Sequence, residues 1–410
     1  MESAPSSRLT GPHGHPVQVG RSPFRHIATV LAVLGLALLL GCHGTGPTAP
    51  AGAPRQAPPR SFPVGIYGVP GVEDLRAVHS AGFSLVMGGL DPAYMDEAAR
   101  LGLQVVATPG SSAGPGFDPA KVREAVRRWD RHPALAGWYL VDEPDLNGVP
   151  VEEVERAHET VRAAGGRKPT SLVVYRGWNL AKFHSADVLM VDFYPVGWIP
   201  VAAFFQHMRH GATAARVGGR KFHAVIQAMD WGAYREVFPF PPPFHPRPPT
   251  EDELRSMTWG ARLLGADAVL YYPYRDGHWE MPRHPETWAS LTRVVQEVRQ
   301  WEPIFAAPAA DRPIPRFEPL NDRRNEALEP AVLWSVHRVA QGNGFVAPGD
   351  YWILVNTTER TQQLALPETR WWGLRLGDVR AGREVEVEAD GWMTPLPPFE
   401  VRILGPLPPP

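Results

Sequence analysis

Three carboxylates fall within four residues in the stretch Gly137 to Leu146, GWYLVDEPDL: Asp142, Glu143 and Asp145, set around Pro144. Like charges this close repel one another and proline ends a strand, so stability is a poor reason for the pattern. A carboxyl flanked by two carboxylates is pushed toward its neutral form, which is what a general acid working near neutral pH requires. Glu143 is therefore the candidate acid, with Asp142 and Asp145 tuning it; the plainer alternative is that the cluster caps the following turn and helix. Further along, Asp192 in VLMVDFYP and Asp230 in VIQAMDWG are carboxylates at the ends of apolar runs. His207 and His210, three apart on a helical pattern, read as a surface pair rather than a metal site, since no third ligand lies near them in sequence. His278 and Glu280 in RDGHWE border the last apolar run.

Positioning such groups requires a frame, and the chain supplies one by alternating two periods. Short apolar runs at 64–69, 83–89, 104–109, 135–144, 170–176, 188–195, 222–230 and 268–274 read as strands. Between them lie helical patterns such as PAYMDEAARLG and VEEVERAHETVRAAGG, with a weak one at NLAKFHS and a last one in ETWASLTRVVQEVRQW. Several end in Gly, which supplies a left-handed C-cap, and TEDE before Leu254 is a capping box. Eight strand and helix pairs with Val-rich strands predict a (β/α)₈ barrel over 62–303, because only a closed parallel sheet buries every strand on both faces. A doubly wound open sheet is the runner-up, without a Gly-rich phosphate loop after the first strand to support it. Beyond a Pro-rich linker at 304–319, the short runs of 320–410 lack helical spacing and predict a small all-β sandwich as a second domain. On this frame GWYLVDEPDL is the fourth strand, and its acids fall at the C-terminal end, where barrel enzymes build their sites.

The N-terminus speaks to compartment. Arg21, Arg25 and His26 precede IATVLAVLGLALLLGC, a run too short for an ordinary span and built like an export signal. Its last residues, Leu39, Leu40, Gly41 and Cys42, resemble a bacterial lipobox, and the single cysteine among 410 residues sits there. Residues 1–41 are thus expected to be a lipoprotein signal peptide, Cys42 the lipidation site, and 42–61 a Pro-, Gly- and Ala-rich tether. The protein belongs in the cell envelope on this reading, with the bilayer as a partner through Cys42. The formal net charge of −2 argues against a nucleic-acid partner, and no cofactor motif is visible.

GWYLVDEPD, DVLMVDFYP and HAVIQAMDWG together look like glycoside hydrolase barrels related to clan A, over roughly residues 62–405. The resemblance implies an O-glycosyl hydrolase whose acid/base is the Glu of an Asp-Glu-Pro motif ending the fourth strand, here Glu143. It also implies a Glu nucleophile at the end of the seventh strand, where this chain has Gln227, an amide that can neither attack nor take a proton. Asp192 is the first candidate for the second carboxylate, at about 6.5–9.5 Å from Glu143 for an inverting reaction. Substrate assistance through Asp142 is the second, and Asp230 the third. Trp178, Trp198, Trp231 and Trp279 follow four successive strands, joined by Tyr194 and Tyr272, and such plates suit stacking on a pyranose. Gln227 is grouped with them as a substrate contact. The competing class is a non-catalytic glycan-binding lipoprotein on the same scaffold, made plausible by Gln227.

Overall fold

The computed structural model describes residues 61–237, 244–311, 317–319 and 321–407. The export segment, Cys42 and all of the tether but Ser61 lie outside the described residues, as do parts of both Pro-rich stretches. Eight parallel strands close into a barrel in sequence order: β1 (Val64–Ile66), β2 (Leu85–Met87), β3 (Gln104–Ala107), β4 (Leu135–Val141), β5 (Thr170–Val174), β6 (Val188–Val191), β7 (Lys221–Gln227) and β8 (Ala268–Tyr272), with β8 paired back to β1. The open-sheet alternative is thereby excluded.

Among the described residues seven helices wrap this sheet: α1 (Val72–Ser80), α2 (Pro92–Leu101), α3 (Pro119–Trp129), α4 (Val151–Ala163), α5 (Ala202–Val217), α6 (Glu251–Leu263) and α7 (Pro285–Gln300). Their starts are set locally. Asp91 and Asp118 each accept two backbone amides ahead of a proline in the first turn, and Thr250 with Glu253 closes the capping box seen in the sequence. Between β5 and β6 the weak helical pattern yields only a 3-10 turn, Gly177–Ala181, pressed so closely on α5 that a Cβ at Gly177 would meet the His207 carbonyl at 2.0 Å.

A short helix, α8 (Glu302–Ala306), leads from the barrel into two antiparallel sheets. Their strands are β9 (Glu318–Pro319), β10 (Val332–Val339), β11 (Gly349–Asn356), β12 (Gln362–Ala365), β13 (Arg375–Asp378), β14 (Arg383–Glu386), β15 (Trp392–Leu396) and β16 (Val401–Leu404). One sheet runs β10-β11-β16-β13-β14 and the other β15-β12-β9. Strand β11 shows how they pack: Tyr351, Ile353 and Val355 join the core of the barrel, while Trp352 and Leu354 face the core between the two sheets. The period of two therefore places one apolar face against each neighbour. Helix α6 lies beneath this sheet and is buried from Glu253 to Ala261. Ser256 there donates to the Asn356 carbonyl at 3.0 Å, and Thr258 to the Leu254 carbonyl at 2.6 Å. The described residues from Ser61 to Leu407 accordingly form one compact unit, with no parting at Pro303.

Candidate active site

Inward-facing side chains at the C-terminal ends of the strands line a cleft in two parts, each of about 650 Å³, which share Tyr67, Asp142 and Tyr272. One part lies against the loops after β1, β2, β3 and β8, with Gly68, Gly88, Gly89 and Arg275. The other holds Glu143, Tyr175, Arg176, Asp192, Trp198 and Trp231. At the opposite end of the barrel a cavity of about 710 Å³ lies among Gln104, Gly137, Ser171 and His223, where residues as small as Gly137 and Ser171 underfill the bottom layer.

The aim of the acidic cluster depends on two backbone irregularities. Strand β4 slips against β5 between Tyr139 and Val141, and this bulge lets Tyr139 and Asp142, three apart, line the same cavity. Glu143 then takes φ 40°, a left-handed conformation rare outside glycine. Its carbonyl accepts the Leu146 and Asn147 amides at 3.0 and 2.9 Å, which hold the turn. Asp145 does not face the cavity: it accepts the Tyr175 and Arg176 amides and the Asn179 side chain, tying the β4 loop to the β5 loop.

Burial raises the Glu143 carboxyl to about 7, reinforced by the charges of Asp142 and Asp145 and opposed by a side-chain hydrogen bond with Asp192. Burial first, and then Glu143, Asp142 and Asp145, hold Asp192 well above the usual carboxylate range. Asp192 is only 6% exposed, and its Oδ1 has no hydrogen-bond partner. Glu143 and Asp192 line the same part of the cleft, and the charge of Glu143 helps to raise the Asp192 carboxyl. The bent backbone at Glu143 places its side chain in the part of the cleft that Asp192 also lines. Asp142 is also raised, by burial against a hydrogen bond from the Tyr139 hydroxyl, yet it is reached by solvent at the middle of the cleft.

Gln227 ends β7 but does not line the cavity. It is fully buried, accepts the Val196 amide at 2.8 Å and donates to the Val196 and Met229 carbonyls at 3.0 and 3.2 Å. Both ends of its amide are spent on loop backbone, so the expected substrate contact is instead a strut. Asp230 caps the 3-10 turn Trp231–Tyr234 through the Gly232 amide.

Trp198 and Trp231 do line the cleft, and both indole N–H groups donate to the Tyr194 carbonyl, at 2.7 and 3.0 Å. Their planes are thus fixed before any ligand arrives. Tyr194 stacks on Tyr272 with centroids 5.3 Å apart. The Tyr272 and Tyr234 hydroxyls converge on Asp276, at 2.7 and 2.5 Å. The remaining two tryptophans depart from expectation. Trp279 is 2% exposed and stacked on His284, and the exposed Trp178 packs on His207 outside the cavity. His207 accepts the Gly177 amide, and burial lowers it to about 4. His278 sits 5.3 Å from the Tyr234 ring and Glu280 pairs with Arg275, so both border the cleft through a neighbour. No group of three or more possible metal ligands exists among the described residues.

No protein-family model matches the chain, and none of the curated proteins matches it in sequence. Solved structures do. A chain described as a glycoside hydrolase superposes with a TM-score of 0.51 over 84% of this chain and 92% of its own, at 10% identity. The family 5 glycoside hydrolase from Bacteroides vulgatus gives 0.51 over 84% and 88%, at 9% identity. The chain shares its fold with glycoside hydrolase barrels. At such identity the likeness is one of fold, and the chemistry has to be read from this cleft.

Sequence reasoning missed Tyr67, Tyr139, Tyr175 and Arg176, all of which line the cleft. The signal was available for Tyr67, Tyr175 and Arg176, since each lies at the C-terminal end of a run already assigned as a strand. Tyr139 was hidden by the bulge.

Proposed function

We propose that the chain is a glycoside hydrolase acting on an oligo- or polysaccharide, with Glu143 as the general acid. The observation that carries this reading is the carboxyl of Glu143, raised to about 7 by burial within an aromatic-lined cleft at the mouth of the barrel. Glu143 delivers its proton to the glycosidic oxygen, and Asp192, which lines the same part of the cleft, is the second acid beside it. Asp142 is the carboxylate that faces the sugar from the middle of the cleft. It acts directly or by orienting a 2-acetamido group of the substrate, and a substrate lacking that group separates the two. Gln227 favours one second reading, a glycan-binding protein without turnover, because no carboxylate ends β7. Glu143→Gln discriminates between the two: hydrolysis of a poor leaving group should fall by about 10² to 10⁴ while binding persists. Unchanged turnover would remove Glu143 from the mechanism.

The same proposal includes export and attachment to the envelope through Cys42. Cys42→Ser should move the protein from the membrane fraction to the soluble one. Persistence in the membrane pellet after a high-salt wash would argue against a lipid anchor.

A further inference from the structure

We propose that the cleft selects an acidic glycan, and that Arg176 recognises the oxyanion, a uronate carboxylate or a sulfate ester, on the sugar bound beside Glu143. The inference rests on the glycoside hydrolase reading and adds a substrate class to it. Among the described residues, Arg176 is the one cationic residue that lines the part of the cleft holding Glu143, Asp142 and Asp192. None of these acids forms a salt bridge with it among the described residues. Arg275, which lines the other part, is engaged by Asp74 at 3.3 Å and by Glu280 at 2.8 Å.

The placement of Arg176 is fixed at both ends. Its amide donates to Asp145 at 3.0 Å, the same carboxylate that takes the amide of Tyr175 and the side chain of Asn179. Its guanidinium lies 5.8 Å from the ring centroids of both Tyr175 and Trp178. Aromatic contact on its plane restrains a guanidinium while leaving its N–H edges to bind a planar or tetrahedral oxyanion through two parallel bonds. Exposed Trp178, outside the cavity, thereby acquires a role as a backing plate. The geometry also answers an electrostatic difficulty. An anionic sugar entering a cleft with three acids is repelled unless those acids hold protons or a cation offsets them. The raised carboxyls of Glu143 and Asp192 supply the first condition and Arg176 the second. Strands β4 and β5 are neighbours, about 4.8 Å apart, so the recognised sugar is at or next to the bond being cleaved.

The test uses the full chain and oligosaccharides containing glucuronic, galacturonic or mannuronic acid, together with sulfated galactan and glycosaminoglycan fragments. Each is paired with its carboxyl-reduced or desulfated counterpart. Hydrolysis, or binding to Glu143→Gln, should favour an acidic member over its neutral partner by roughly 10- to 100-fold, as expected for charge-assisted hydrogen bonds. The preference should shrink with added salt, and the active pair separates uronate from sulfate. Arg176→Met should collapse the ratio at least tenfold, whereas Arg176→Lys retains part of it. Neutral glycans bound or cleaved as well as acidic ones, or an acidic preference that survives Arg176→Met, would overturn the inference and leave the hydrolase reading standing. Failure of every glycan to bind or react would remove both.

Discussion

Glu143 combines a left-handed backbone, a carboxyl raised to about 7 and a place in the cleft beside a buried acid. Strained conformations persist where the surroundings over-determine them, and here the Asp145 anchor and the proline that follows hold the turn. Two pH effects follow from the raised carboxyl. Activity should fall as pH rises through about 7, where the acid loses its proton, and Asp142→Asn should move that alkaline limb to lower pH by removing a repelling charge. The limb position is read from kcat/KM against pH, whatever the variant's peak rate. Stability should follow the same sign. A carboxyl held above its unfolded value binds its proton more tightly in the native state, so its contribution is complete below pH of about 4.5 and is lost as pH rises through about 7. Glu143 alone represents up to about 3 kcal/mol of that dependence. Glu143→Gln should therefore flatten the decline in melting temperature between pH 5 and pH 8; an unchanged slope would place the titration elsewhere.

At the scale of elements, the end of β7 is occupied by an amide that clamps the loop after β6. Gln227 holds both the N–H and the C=O of Val196, and Val196 follows the Tyr194 carbonyl that orients two tryptophans. The strut and the aromatic wall are consequently one construction. Gln227→Glu should not create a nucleophile. A carboxylate there would face the Val196 and Met229 carbonyls with no donor of its own, at a cost of about 2–4 kcal/mol. A clear fall in melting temperature without a gain in turnover is the expected result, and a more active variant would show that this position can reach the substrate.

At the scale of the whole molecule, the antiparallel sheets are part of the scaffold. Leu333, Ile353, Val401 and Ile403 share the core of the barrel, each contributing about 1.5–3 kcal/mol by burial. Arg209 with Glu329, and His337 on the Ile304 carbonyl at 2.8 Å, join the same parts through polar contacts. The barrel and sheets should unfold in a single calorimetric transition. A chain ended at Gln300 should be insoluble or molten, since α6 would present a buried face to water. Two separated transitions would contradict this.

The sequence by itself determined the architecture. All eight barrel strands lie where the apolar runs place them, because a strand buried on both faces must be written as such a run, and capping residues fix helix starts through bonds only two or three residues long. It also picked out the acidic cluster and the aromatic residues after β6. Strands β9 and β15 and the 3-10 turn after β5 escaped, the strands for their prolines and turn-like flanks, the turn because docking against α5 decided its form. Only the tertiary structure decided the site. Asp142, Glu143 and Asp192 are equivalent letters in a sequence, and a bulge, a left-handed residue and burial give them different surroundings. Gln227 and Trp279 match Trp198 and Trp231 in strand-end position, yet one is a strut and the other core, since which way a loop side chain turns depends on the partners it meets across the barrel and not on its neighbours along the chain.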